Sequence, residues 1–202
     1  MTRAAPLQVL THKTAPVSLM RAKGRDLVCR LAGLNPKQVD TLAAAPRVQG
    51  RLTAWLTEAR GFPRPAAEPD TVLLFAPELL DRAIVFAGAA LASPALTQVV
   101  TREARAALRV WLPEKALGFA LEMRGQAQPP WRWDGIEEQR LLMDGRAAAY
   151  AWTETLEPGD LLRLSLRWPL PRVAPDHVFD AGQSVSAAAL FRRAVTVAAK
   201  GL

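Results

Sequence analysis

Apolar and polar positions along most of this chain repeat with the period of an α-helix. "NPKQVDTLAAAP" places Asn35 as a helix N-cap and Pro36 at the first helical position, and it stops at Pro46. "RVQGRLTAWLTEARG" puts Val48, Leu52, Trp55, Leu56 and Ala59 on one face, with Gly61 as a C-terminal cap. "APELLDRAIVFAGAALA" starts a helix at Pro77, has Glu78 in its first turn and is apolar almost all round, which predicts a buried central helix. "SPALTQVVTREARAALRVWL" reads as one amphipathic helix, capped by Ser93 with Pro94 at its first position. Leu96, Val99, Val100, Ala107, Leu108, Trp111 and Leu112 line one side of it, and Gln98, Thr101, Arg102, Arg105 and Arg109 the other. Pro113 opens a shorter helix, "PEKALGFALEM"; "IEEQRLLMDGRAAAYAWTETLE" predicts a long one weakened at Gly145; "SVSAAALFRRAVTVAAKGL" predicts a last one, capped by Ser184 and ended near Gly201. "RGQAQPPWRWDG" and "PRVAPDHVFDAGQ" read as irregular.

One stretch breaks this period. In "LLRLSLRWPLP" (161–171) apolar and polar residues alternate strictly, as in a half-buried strand. A helical projection fits it equally well, with Leu161, Leu162, Leu164, Leu166 and Trp168 on one broad arc and Arg163 and Arg167 together opposite. Propensity decides: the stretch has no Val, Ile or Thr, and Leu and Arg are good helix formers. A helix over about 160–167 is expected, with Asp160 as N-cap, a stop before Pro169, and Arg163 and Arg167 outside. The fold class is all-α, an irregular multi-helix globular domain. Three prolines within "FPRPAAEPD" (62–70) set off residues 1–62 as an N-terminal helical segment, either a small subdomain or part of the same domain as the main body at 70–202.

Composition adds charge to this picture. Half of the 202 residues are hydrophobic, enough for a sizeable core. The 26 Lys+Arg outnumber 19 Asp+Glu, for a net charge of +7, and only Lys13, Lys23, Lys37, Lys115 and Lys200 among the basic residues are lysines. Arginine makes planar, bidentate contacts to carboxylate or phosphate, so the excess points to an acidic partner, unless it is only coding bias. The longest apolar run, "AIVFAGAALA" (83–92), rises about 15 Å as a helix, half of a bilayer core, so a cytoplasmic protein with no direct membrane insertion is expected.

Reactive chemistry finds little support. GxxxxGK[ST], GxGxxG and GxSxG are absent. The two histidines, His12 and His177, are far apart, and neither has a second metal ligand nearby. Cys29, the sole cysteine, sits in apolar company as a small core residue. Glu137 and Glu138 are adjacent and diverge by about 100° on a helix, so they suit a solvated N-terminus better than an acid–base pair. No catalytic residue, cofactor or metal is expected. Candidate interface residues are the helical stripe Arg102, Arg105 and Arg109, the loop aromatics Trp131 and Trp133, and Arg163 with Arg167. Trp55, Trp111 and Trp152 belong to apolar helix faces and are expected in the core.

The order of these features resembles the SctK family of type III secretion systems (YscK, PscK). An apolar helix runs into "LASPAL" (91–96), an amphipathic helix follows, then "MDGRAAAYAW" (143–152), "RLSLRWPL" and a final basic-apolar helix. The match covers about 70–200. The resemblance implies a helical, non-catalytic adaptor of the sorting platform, at the cytoplasmic face of the inner membrane. Its partners would be an SctD-like ring protein and SctQ-like pods, and through the pods an SctL-like stator and an SctN-like ATPase. The alternative is a basic helical nucleic-acid-binding protein; the chain has neither helix-turn-helix spacing nor a dense basic arm, so no nucleic acid is expected.

Overall fold

The structure is a computed structural model and describes residues 25–26, 29–30, 32–45, 70–99, 101–125, 135–171, 173 and 179–200. Its elements are α1 (Pro36–Ala44), a 3-10 turn (Thr71–Leu74), α2 (Pro77–Leu91), α3 (Ser93–Leu96), α4 (Arg102–Trp111), α5 (Glu114–Glu122), α6 (Glu138–Thr153), α7 (Pro158–Arg167) and α8 (Ala181–Lys200). No strand occurs among the described residues, so the fold is all-α. The helix expected over 47–61 and the proline-rich stretch after it lie outside the described residues.

The described helices fall into two compact units. One comprises 78–155 and 171–202, with α2 to α6 and α8; the other groups 156–170 with the described residues before Glu78, so α7 belongs with α1 and the 3-10 turn. The unit boundaries thus follow space, whereas a division at 62–70 follows chain order.

In the larger unit, α2 buries ten of its fifteen residues, Leu79, Leu80, Ala83, Ile84, Phe86, Ala87, Gly88, Ala89, Ala90 and Leu91, as its apolar circumference predicts. It meets α6 at two glycines. A Cβ on Gly88 would overlap the Leu141 carbonyl oxygen and stand 2.9 Å from its carbon; a Cβ on Gly145 would overlap the Ile84 carbonyl oxygen and stand 2.8 Å from that carbon. The two backbones therefore touch at this crossing, which no residue with a side chain permits. Gly145 does not weaken α6: the helix runs unbroken through it, because the glycine is spent on close approach to α2. The final helix, α8, packs along α6, with the Trp152 and Phe191 rings 5.3 Å apart and tilted by 32°. Small buried residues, Ala147, Ala148, Ala149 and Ala151 on α6 and Ala187, Ala188, Ala194 and Ala198 on α8, reduce the bulk at their packed faces. Phe86 and Phe119 pair at 5.9 Å and link α2 to α5.

Three local expectations change. The helix expected over 93–112 is split into α3 and α4. Thr97 N–H bonds back to Ser93, Gln98 N–H closes on Ala95 at 3.0 Å, and Thr101 turns to an extended conformation and caps α4 by accepting from Ala104 N–H at 3.2 Å. Ser93 is not a cap either; it lies inside α3, fully buried, and Ala92 precedes the helix. At α8 the cap is Asp180 rather than Ser184. Asp180 accepts from Gln183 N–H at 2.8 Å and the Gln183 side chain accepts from Asp180 N–H at 3.3 Å, a reciprocal box that starts the helix at Ala181.

In the smaller unit, Asn35 and Gln38 form the capping box of α1, each side chain accepting from the other's N–H at 2.9 Å. Val39 of α1 is fully buried, and Arg25 pairs with Asp40 at 3.0 Å on the surface. The ambiguous stretch is a helix, α7, ending at Arg167 as propensity required. It begins two residues early because Pro158 takes the first position after Glu157; Asp160 lies within its first turn and is buried instead of capping. Leu164 and Trp168 are fully buried.

Candidate protein interface

α4 is the most exposed helix surface that carries candidate residues. Every residue from Thr101 to Ala107 is exposed, as are Arg109 and Val110. Leu108 is its one buried residue; Trp111 is half-buried and Leu112, just past the end, is buried. Thr101 caps the N-terminus, Glu103 sits in the first turn and Arg109 in the last, so both charges oppose the helix dipole favourably.

The structure brings Arg102, Arg105 and Arg109 together on one exposed arc. On a helix, Arg105 and Arg109 lie about 60° and 20° to one side of Arg102. Arg105 donates from Nε to the Val99 carbonyl at 3.1 Å, which ties its stem to the turn before α4. Arg102 and Arg109 make no hydrogen bond or ion pair among the described residues. Two arginines of α8 in this unit are engaged: Arg193 pairs with Glu122 at 2.6 Å, and Arg192 donates to Thr155 Oγ1 at 2.9 Å.

Arg167 is a correction. Expected outside beside Arg163, it is 7% exposed, and its Nη2 donates to the Leu73 carbonyl. The reason is the 3-10 turn: Asp70 caps it by accepting from Val72 N–H at 3.0 Å, and the turn leaves the Leu73 carbonyl for a donor from elsewhere. Burial lowers the pKa of the Arg167 guanidinium. Arg167 is therefore a packing residue of its unit. The Arg163 side chain, and both Trp131 and Trp133, lie outside what the structure describes.

Of the expected core tryptophans, Trp152 is fully buried and Trp111 half-buried, while Trp55 is outside the described residues. Cys29 is half-buried. Glu137 and Glu138 are exposed at the start of α6, as a solvated helix N-terminus requires. Sequence reasoning missed Val110, which is 85% exposed. It falls about 80° from Arg102, on the other side of Arg102 from the buried Leu108, and a helical projection of α4 alone would have revealed it.

The molecule so described is an all-α protein whose candidate site is a convex, basic helix surface. Among the described residues no group of three or more His, Cys, Asp or Glu is placed to hold a metal ion. No family model matches the chain, and no curated protein matches it. Among solved structures it is similar to the cytoplasmic domain of the type III secretion system sorting-platform protein PscK from P. aeruginosa. The two share 25% identity over 87% of this chain and 92% of that one, with a TM-score of 0.44. At that score the superposition carries no role across.

Proposed function

We propose that this protein is a non-catalytic adaptor of a type III secretion system. It joins an SctD-like inner-membrane ring protein to SctQ-like sorting-platform pods, and through the pods it reaches an SctL-like stator and an SctN-like ATPase. What carries this is the ordered set of sequence blocks that resemble the SctK family, now seen on helices. "LASPAL" spans the junction of α2 and α3, "MDGRAAAYAW" lies in α6 around Gly145, and "RLSLRWPL" runs through α7 to the buried Trp168. The adaptor acts at the cytoplasmic face of the inner membrane through protein contacts. No helix among the described residues is long and apolar enough to cross a membrane.

Affinity purification of the tagged full chain from cells carrying a type III secretion system tests this. Ring and pod components should be recovered together. Recovery of neither, from cells in which the apparatus is assembled, would remove the adaptor reading.

A further inference from the structure

We infer that α4 receives an acidic amphipathic helix of a partner protein, laid along the arc formed by Arg102, Arg105, Arg109 and Val110. The inference takes its biological partner from the adaptor reading, but its chemistry from this surface alone. Four observations converge. First, α4 has ten residues and only Leu108 among them is buried, so most of its circumference is open to a partner. Second, Arg102 and Arg109 are exposed and make no ion pair among the described residues, while Glu103 is the only acidic residue on the helix. Glu103 lies about 100° from Arg102, so it borders the basic arc and does not interrupt it. Third, Arg105 is held at its Nε by the Val99 carbonyl, which fixes the middle of the arc before binding. Fourth, Val110 stands 85% exposed beside the stripe, the most exposed large apolar side chain among the described residues.

Geometry then specifies the occupant. Arg102 to Arg109 rises about 10.5 Å, two helical turns. Carboxylates at i, i+3 or i+4, and i+7 of a partner helix repeat at that spacing, and an apolar residue next to them meets Val110. A phosphate backbone would satisfy the arginines and leave Val110 unused, so a protein partner fits better than a nucleic acid. Guanidinium groups suit carboxylates bidentately.

The test uses the full chain and two short helical peptides with one shared apolar stripe. One carries Glu at i, i+4 and i+7, and the other carries Lys there. In low salt the Glu peptide should bind by fluorescence anisotropy and the Lys peptide should not. R102E/R109E should weaken the Glu peptide by at least about tenfold with an unchanged far-UV spectrum, and V110D should weaken it with the arginines intact. Equal binding of either peptide, or of the Glu peptide to wild type and R102E/R109E, would overturn the inference. So would a DNA duplex that displaces the Glu peptide from wild type and fails to bind R102E/R109E. Co-purification separates the two levels. If ring and pod components come down equally with wild type and R102E/R109E, this surface is wrong and the adaptor reading stands. If wild type recovers neither while the peptide results hold, the adaptor reading falls and the surface stands.

Discussion

Replacing Gly145 by alanine should destabilise the protein, although alanine is the better helix former. The new Cβ would overlap the Ile84 carbonyl oxygen and lie 2.8 Å from the Ile84 carbonyl carbon and 3.0 Å from its Cγ2. Two of those three atoms are backbone, so no side-chain rotation relieves the clash, and α2 and α6 must separate. Overpacking costs about 1–3 kcal/mol, and an overlap with backbone falls at the upper end, about 2–3 kcal/mol, against a helix-propensity gain of about 1 kcal/mol for Gly→Ala. The net loss is about 1–2 kcal/mol, which for a chain of this size lowers the melting temperature by roughly 2–8 °C. Gly88→Ala should behave alike, since it meets Leu141 in the same manner. The double variant should lose less than the sum, because helices already parted by one methyl accommodate the second. Gly118, in the middle of α5, supplies the control. A Cβ there meets nothing within 4 Å, so Gly118→Ala should raise stability by about 1 kcal/mol. Far-UV circular dichroism melts of the four variants measure this. A Gly145→Ala protein that melts at or above wild type would refute the backbone contact, and a strictly additive double variant would refute its shared origin.

Three further outcomes follow from single side chains. Asp180→Ala should cost about 1 kcal/mol in urea unfolding through loss of the α8 cap, while Ser184→Ala stays within about 0.5 kcal/mol; the reverse order would restore Ser184 as the cap. Arg167→Met should cost about 1–3 kcal/mol by stranding the Leu73 carbonyl, seen as a lower urea midpoint at unchanged slope; wild-type stability would show that water replaces the guanidinium. Because burial lowers the Arg167 pKa, the unfolded chain holds that proton more tightly, so this group's contribution rises as strongly alkaline pH passes the lowered value. Tyr150, the only tyrosine, should ionise above its ordinary range, chiefly through the charge of Glu154 and then through burial and the hydrogen bond to Glu154. Glu154→Gln should lower the midpoint of its phenolate absorbance. With the folded value raised, the stability this group adds is lost as pH climbs from the unfolded value through the folded one.

Three helix starts were legible because their causes are local, whereas the caps expected at Ser93, Asp160 and Ser184 are not the ones used. Asn35 with Pro36, Pro77, and Pro113 before α5 each mark a start within a residue. What could not be read depended on a distant partner. Gly145 looks like a weak point until Gly88 and Ile84 are brought against it. Arg167 looks solvent-facing by its spacing from Arg163, yet its acceptor is 94 residues away. The split between α3 and α4 was locally encoded, in Thr97 and Thr101, but continuous apolar spacing across it masked the signal. The arginine arc was legible because exposure on a short amphipathic helix follows from its own pattern. Val110 is hidden while 93–112 is read as one helix, and the break at Thr101 isolates α4, where Val110 is exposed.

The arc also dictates how binding should respond to salt. Arg102, Arg105 and Arg109 span about 10.5 Å, close to the Debye length of ~10 Å at 0.1 M salt and well within the ~30 Å at 0.01 M. At low salt a partner therefore meets the three charges as one field, and near physiological salt only as adjacent pairs. Exposed charges of this kind act mainly on encounter, whereas desolvated apolar contacts act on residence. Capture of the ring protein proposed above as a partner by the immobilised full chain should thus show an association rate that falls steeply as salt rises. R102E/R109E should flatten that fall, and Val110→Ala should speed dissociation while leaving the salt slope alone. A variant without Arg102 and Arg109 that keeps the wild-type salt slope would locate the electrostatic contact elsewhere on the molecule, and capture indifferent to salt in the wild type would remove it altogether.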